Sequence, residues 1–135
     1  NMALPPIVLL LLFSFPSVSP KEECFSITGQ IVCDLPEHAG ENTPKYQVDL
    51  VDEDVFSDDL MGRTWTDEKG GFTVTGCGSD LGPFNSPDPF LKIHHRCYPD
   101  ANSTSDLRVY SQGLLSITLP IVNDIGNISL LSYDL

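Results

Sequence analysis

The chain has 135 residues and a mass of 14.8 kDa, enough for one domain with a short targeting segment and too little for two full cores. Seven Lys and Arg against 19 Asp and Glu give a net charge of −12. That balance excludes nucleic-acid binding through phosphate neutralisation and disfavours unaided binding to anionic lipid. An apolar share of 41% with a mean hydropathy of −0.02 fits a globular domain rather than a disordered chain.

Residues 1–20 carry no Asp, Glu, Lys or Arg, and Ile7–Phe13 within them is an unbroken apolar run. A membrane-spanning helix needs about 20 apolar residues. This run is shorter, is bracketed by Pro5, Pro6 and Pro16, and is followed by small residues. It reads as a signal peptide, with cleavage expected between Ser17 and Glu22 and a domain over residues 21–135. Two Asn-x-Ser/Thr triplets, at Asn102 and Asn127, are glycosylation acceptors expected of such a route. Asn102 sits in a polar stretch; Asn127 sits in an apolar run and could take a glycan only if it faces solvent.

Four cysteines remain in residues 21–135: Cys24, Cys33, Cys77 and Cys97. In a small secreted domain an even count suggests disulfides, and four cysteines allow three pairings that spacing does not decide. No CxxC pair or close Cys/His cluster points to zinc.

Beyond residue 20 the hydrophobic period is two. Apolar residues alternate with polar ones over Phe25–Cys33, Lys45–Val51, Gly71–Gly76, Leu91–His94, Leu107–Tyr110 and Leu115–Leu119, and Ile128–Leu131 is a shorter apolar strand. Turn signals separate them: Pro36–Gly40, Asp67–Gly71, Gly82-Pro83, Ser86–Pro89, Pro99–Asp106 and Asn123-Asp124. Ser57–Met61 is the only helical candidate, a single turn. About seven short strands at this spacing predict an all-β sandwich. The alternation assigns Trp65, Leu107, Val109, Ile117 and Leu119 to the core beside Phe25, Ile27, Ile31, Tyr46, Val48, Leu50, Phe72, Val74, Leu91, Ile93, Ile128 and Leu130.

Asp49, Asp52, Glu53, Asp54, Asp58 and Asp59 form an acidic cluster. Such a group reads first as a solvated loop and second as a Ca²⁺ site, although the spacing is not that of an EF-hand. His94 and His95 are neighbours on a strand, so they point to opposite faces and cannot easily chelate one ion. No Gly-x-Ser-x-Gly elbow is present.

Five segments together resemble the nematode transthyretin-like family. They are Thr28–Cys33 (TGQIVC), Val48–Trp65 (VDLVDEDVFSDDLMGRTW), Thr66–Gly76 (TDEKGGFTVTG), Pro89–Cys97 (PFLKIHHRC) and Asp124–Leu130 (DIGNISL), in the family's order. The resemblance implies a secreted Greek-key sandwich of seven to eight strands. The family commonly has a Cys shortly before the strand matched by Leu107–Tyr110; Ala101–Asp106 has none, while Cys24 and Cys77 appear instead. In a transthyretin-like layout the first strand runs antiparallel to the Phe72 strand. That layout implies Cys24 paired with Cys77, and Cys33 with Cys97. His95 matches the family's His-x-Cys histidine and is expected to be structural.

The transthyretin fold also carries 5-hydroxyisourate hydrolase, whose C-terminal Tyr-Arg-Gly-Ser has no match in Ser132–Leu135 (SYDL). The expectation is therefore a non-enzymatic module with no catalytic residue, metal or cofactor. It would contact an extracellular protein receptor or a lipid surface through Pro83–Pro89, Pro99–Asp106 or the acidic Asp52–Asp59 turn. Anionic phospholipid would require Ca²⁺ or a basic spot such as Lys92, Arg96 and Arg108. Carriage of a small apolar ligand, lipid or hormone-like, is the alternative, and oligomeric state is left open.

Overall fold

A computed structural model describes residues 2–3, 14–17, 21–38, 44–80, 86–98, 107–114 and 122–133. Seven strands run through them: β1 (Lys21–Val32), β2 (Gln47–Asp52), β3 (Asp59–Trp65), β4 (Gly71–Asp80), β5 (Pro89–His95), β6 (Arg108–Gly113) and β7 (Val122–Ser129). Short 3₁₀ turns cover Pro36–His38 and Leu130–Tyr133. The strands form two sheets, one ordered β4-β1-β7 and the other β3-β2-β5-β6. All pairs are antiparallel except β1–β7, which is parallel. A parallel pair joining the first strand to the last needs a long crossover, and here the intervening chain builds the whole second sheet and β4 of the first.

Between the sheets lies the core, built from inward positions of period two: Phe25, Ile27 and Ile31 from β1, Val48 and Leu50 from β2, Phe72 and Val74 from β4, Leu91 and Ile93 from β5. Each fully buried aliphatic or aromatic side chain contributes roughly 1.5–3 kcal/mol of transfer free energy.

The Asp67–Gly71 turn links the two sheets. Asp67 Oδ1 accepts the backbone N–H groups of Lys69 (2.8 Å) and Gly71 (2.9 Å). Gly70 has φ of +83° and touches the Ile31 backbone, where a Cβ would meet Ile31 O at 2.2 Å. Only glycine fits both constraints. Thr66 is buried and its hydroxyl accepts the Tyr46 N–H at 2.8 Å. The Thr-Asp-x-x-Gly-Gly segment is thus a corner tied to both sheets.

Disulfides join Cys24 to Cys77 and Cys33 to Cys97, the pairs that the transthyretin-like layout implies. Cys24 and Cys77 face each other across β1 and β4. The second bridge ties the end of β1 to the segment after β5, so each sheet carries one anchor of it.

Four expectations need correction. Ser57–Met61 forms no helical turn; β3 begins at Asp59, and alternation misses it because Gly62 and Arg63 break the pattern. Gly62 is required there: a Cβ would lie 2.0 Å from the Thr75 carbonyl oxygen, where β3 and β4 bring the two sheets together. Asn123-Asp124 is not the last turn but part of β7. Its turn chemistry makes a bulge instead: Gly126 has φ of +73°, its N–H donates to Asp124 Oδ1 at 2.9 Å, and the register with β1 shifts between Thr28 and Gln30.

Trp65, Leu107 and Val109 are about half exposed (56%, 52% and 50%) rather than in the core. On β6 the face is inverted by one residue: Tyr110 packs against the core and Val109 lies opposite His94 on the outer surface. The acidic cluster is the fourth correction: Asp49, Asp52 and Asp58 each bond a different partner instead of forming one solvated loop. The expected Leu115–Leu119 strand, with Ile117 and Leu119, lies outside the described residues.

Candidate functional site

The β3-β2-β5-β6 sheet turns one face to the core and one outward. Cross-strand register sets the outer rows: Trp65–Gln47–His94–Val109, then Arg63–Asp49–Lys92–Ser111, then Leu60–Val51–Phe90. At the centre, Asp49 is buried although it faces outward, with its side chain 8% exposed. Arg63 donates to it twice, Nε to Oδ1 at 2.6 Å and Nη2 to Oδ2 at 2.9 Å. His94 Nε2 lies 3.0 Å from Oδ2, and Gln47 Nε2 donates at 3.2 Å. Burial pushes the Asp49 carboxyl up, but the hydrogen bonds from Arg63, His94 and Gln47 outweigh it and hold the group below the usual aspartate value.

The six acidic residues therefore do not form one solvated cluster. Asp49 belongs to the ion-pair network. Asp52 is buried and accepts the Asp88 N–H at 2.8 Å. Asp58 takes the Lys92 ammonium at 2.6 Å. Glu53 and Asp54 on the β2–β3 connection and Asp59 at the start of β3 remain exposed. Slight desolvation and the neighbouring Asp52, Asp59 and Asp58 carboxylates push Asp54 up from the usual value.

These bonds have a second effect. The Asp88–Asp52 bond and the Glu53 N–H donated to Asp88 O (3.1 Å) clamp one side of the β2–β3 loop, and Lys92–Asp58 clamps the other. At the tip, Val55 and Phe56 are 93% and 98% exposed. Neither was singled out from sequence. The available signal is an apolar pair inside an acidic run with no alternating partner to bury it.

At the opposite end of β2 a cleft of about 360 Å³ opens between the start of β2 and the end of β5. Tyr46 forms its floor, fully buried, with its hydroxyl 3.1 Å from His38 Nδ1. Burial raises the Tyr46 hydroxyl to about 12, so it stays protonated at neutral pH. His94 and His95 do point to opposite faces, and His95 is buried, its Nδ1 accepting the Cys97 N–H at 3.1 Å. This is a structural bond of the kind expected for it.

Asn127 is exposed on β7, so the condition for a glycan there is met; Asn102 lies outside the described residues, as do Pro99–Asp106 and residues 83–85. Of the expected basic spot, Lys92 is paired with Asp58 and the Arg108 guanidinium lies 4.3 Å from the Tyr98 ring centroid. Among the described residues one group has metal-ligand types within reach of one another, Glu22 with Cys24 and Cys77. Its sulfurs are consumed by the disulfide. No described helix is long and apolar enough to cross a membrane.

Two sheets of three and four strands with a parallel β1–β7 pair define a sandwich of transthyretin type. The family model of that description, the Transthyretin-like family, matches residues 28–120, and the chain belongs to this family. No curated protein matches it in sequence. Among solved structures, a crystal structure of a 9R-lipoxygenase from Cyanothece PCC8801 is similar in fold, with a TM-score of 0.51 and 21% identity over 80% of this chain. The matched region is 16% of that much longer protein, and the likeness is one of fold alone.

Proposed function

We propose that this protein is a secreted, non-enzymatic binding module that works outside the cell by contact, through the acidic β2–β3 tip, with a protein on a cell surface. One observation carries the reading. Val55 and Phe56 stand almost fully exposed at the end of a loop whose base is clamped by three polar bonds. An ordered aromatic held in water loses no further loop entropy on binding and suits an interface anchor. The surrounding Glu53, Asp54 and Asp59 favour a partner with a basic rim around an apolar pocket.

Two disulfides and membership of the transthyretin-like family support export and an extracellular location. Glycosylation at Asn102 and Asn127 belongs to the same reading. A phospholipid bridge is the weaker version, because the carboxylates at the tip repel an anionic headgroup and Lys92 is already engaged. Carriage of a small apolar ligand remains the alternative reading, favoured by the cleft beside Trp65.

The test compares the disulfide-intact protein with a Val55→Asp/Phe56→Asp variant for binding to intact cells. Trypsin treatment of the cells and loss of the two apolar side chains should each abolish saturable binding. Undiminished binding of the variant contradicts the reading.

A further inference from the structure

We propose that the cleft at the start of β2 is a binding site for a small organic anion with an apolar body, of the class of medium-chain or aryl carboxylates. It is separate from the Val55–Phe56 tip, which lies at the other end of the same strand.

The first support is charge sorting. The chain holds 19 acidic residues, seven Lys and Arg, and three histidines. The described lining of this cleft holds all three histidines and two of the seven cations, Lys45 and Arg96, and no Asp or Glu among the described residues. Arg63 is paired with Asp49, Lys92 with Asp58, and Arg108 lies over the Tyr98 ring; Lys69, on the exposed Asp67–Gly71 turn, has no ion pair among the described residues. Lys45 and Arg96 have no ion pair among the described residues, although both are exposed in a strongly acidic protein. Lys45 and Arg96, with no carboxylate among the described lining residues, concentrate positive potential where an anionic group would enter, and the histidines add hydrogen-bonding groups.

The second support is the apolar wall. Trp65 and Leu107 are 56% and 52% exposed at the rim, with Pro44 beside them. Neither Trp65 nor Leu107 is used by the core. An aromatic and an aliphatic side chain lining the same cleft as two cations match an amphiphilic anion, not a bare one. A volume of about 360 Å³ is small but within the range of ligand sites.

The third support is rigidity. The Tyr46 N–H is bonded to Thr66 Oγ1, the Thr66 N–H donates to Tyr46 O at 3.0 Å, and Cys97, two residues after His95, is disulfide-bonded. On the outer side Asp49 holds His94, and the Asp49 charge is itself taken up by Arg63. The nearby carboxylate therefore opposes an incoming anion less than its distance suggests. Lys45 also borders the Asp67–Glu68 turn, so Arg96 is the cleaner cation to remove.

Trp65 is the only tryptophan in the chain; it also borders a depression beside Thr66, Asp67 and Phe72, and Arg96 and Leu107, which line only the cleft, tell the two apart. The experiment titrates the disulfide-intact protein with octanoate, octan-1-ol and inorganic phosphate, exciting Trp65. Octanoate should shift the emission saturably, and the alcohol and phosphate should each bind at least about tenfold more weakly. Arg96→Glu should weaken octanoate at least about tenfold without altering the melting temperature. Leu107→Ser, a second exposed change, should weaken octanoate and leave any phosphate response unchanged. Equal affinity for octan-1-ol, equal affinity for phosphate, no saturable response to octanoate, or indifference to Arg96→Glu and Leu107→Ser would each overturn the assignment.

Discussion

Arg63 and Asp49 sit directly opposite each other on β3 and β2, and their side chains close a two-point ion pair on the outer face of the sheet. The partners are unequal: the Asp49 side chain is 8% exposed and that of Arg63 48%. A carboxylate left alone there is stranded, whereas a guanidinium left alone swings into water.

Arg63→Ala should therefore destabilise more than Asp49→Asn. The loss for Arg63→Ala is smaller than for breaking a fully buried pair, because solvent screens the Arg63 end. Chemical denaturation of both variants at neutral pH checks the order. Acid sharpens the contrast. A carboxyl with a lowered folded pKa contributes in full above its unfolded value of about 3.9 and loses that contribution as pH falls through the folded value. Without Arg63 the Asp49 pKa rises, so the acid-unfolding midpoint of Arg63→Ala should move to higher pH. An unchanged midpoint would show that Asp49 is not held by this pair.

Gly62 faces a second kind of constraint. A methyl group at this position meets the Thr75 carbonyl oxygen at 2.0 Å, whereas one at Gly113 meets nothing within 4 Å. Gly62→Ala should cost more than about 2 kcal/mol by forcing β3 away from β4, and Gly113→Ala should be near neutral. Thermal melts of the two variants side by side decide it; equal melting temperatures would remove the backbone seam from the explanation of the fold.

The two disulfides differ in access. Cys24 and Cys77 are both exposed, while Cys97 is fully buried and Cys33 packs against the core. Limited reduction followed by alkylation and mass spectrometry should label Cys24 and Cys77 first. Replacing Cys33 and Cys97 by Ser should cost about 2–5 kcal/mol. First labelling at Cys33 and Cys97 would place the buried bridge elsewhere.

Legibility in the sequence followed local periodicity. β1 reads correctly because Phe25, Ile27 and Ile31 face one core while Ser26, Thr28 and Gln30 do not. β6 does not, because Arg108 stacks on Tyr98 and Tyr110 packs inward, leaving the aliphatic residues outside; a tertiary choice set the phase. β3 is hidden for a related reason: its Gly62 is fixed by the approach of another strand, which no local pattern records. The acidic residues illustrate the same limit. Asp49, Asp52 and Asp58 look alike in sequence, yet their roles depend on Arg63, Asp88 and Lys92, which are 14, 36 and 34 positions away. The cleft was invisible because Lys45, Trp65 and Arg96 come together only after folding.

Contact through the exposed Phe56 is tested most directly by a photo-reactive phenylalanine analogue placed at that position and irradiated on intact cells. The expected result is one saturable protein adduct, competed by unmodified protein, diminished by raised salt and absent when the same analogue replaces Val122, an exposed residue on β7. Adducts to lipid alone, or equal adducts from both positions, would contradict a contact function at this tip.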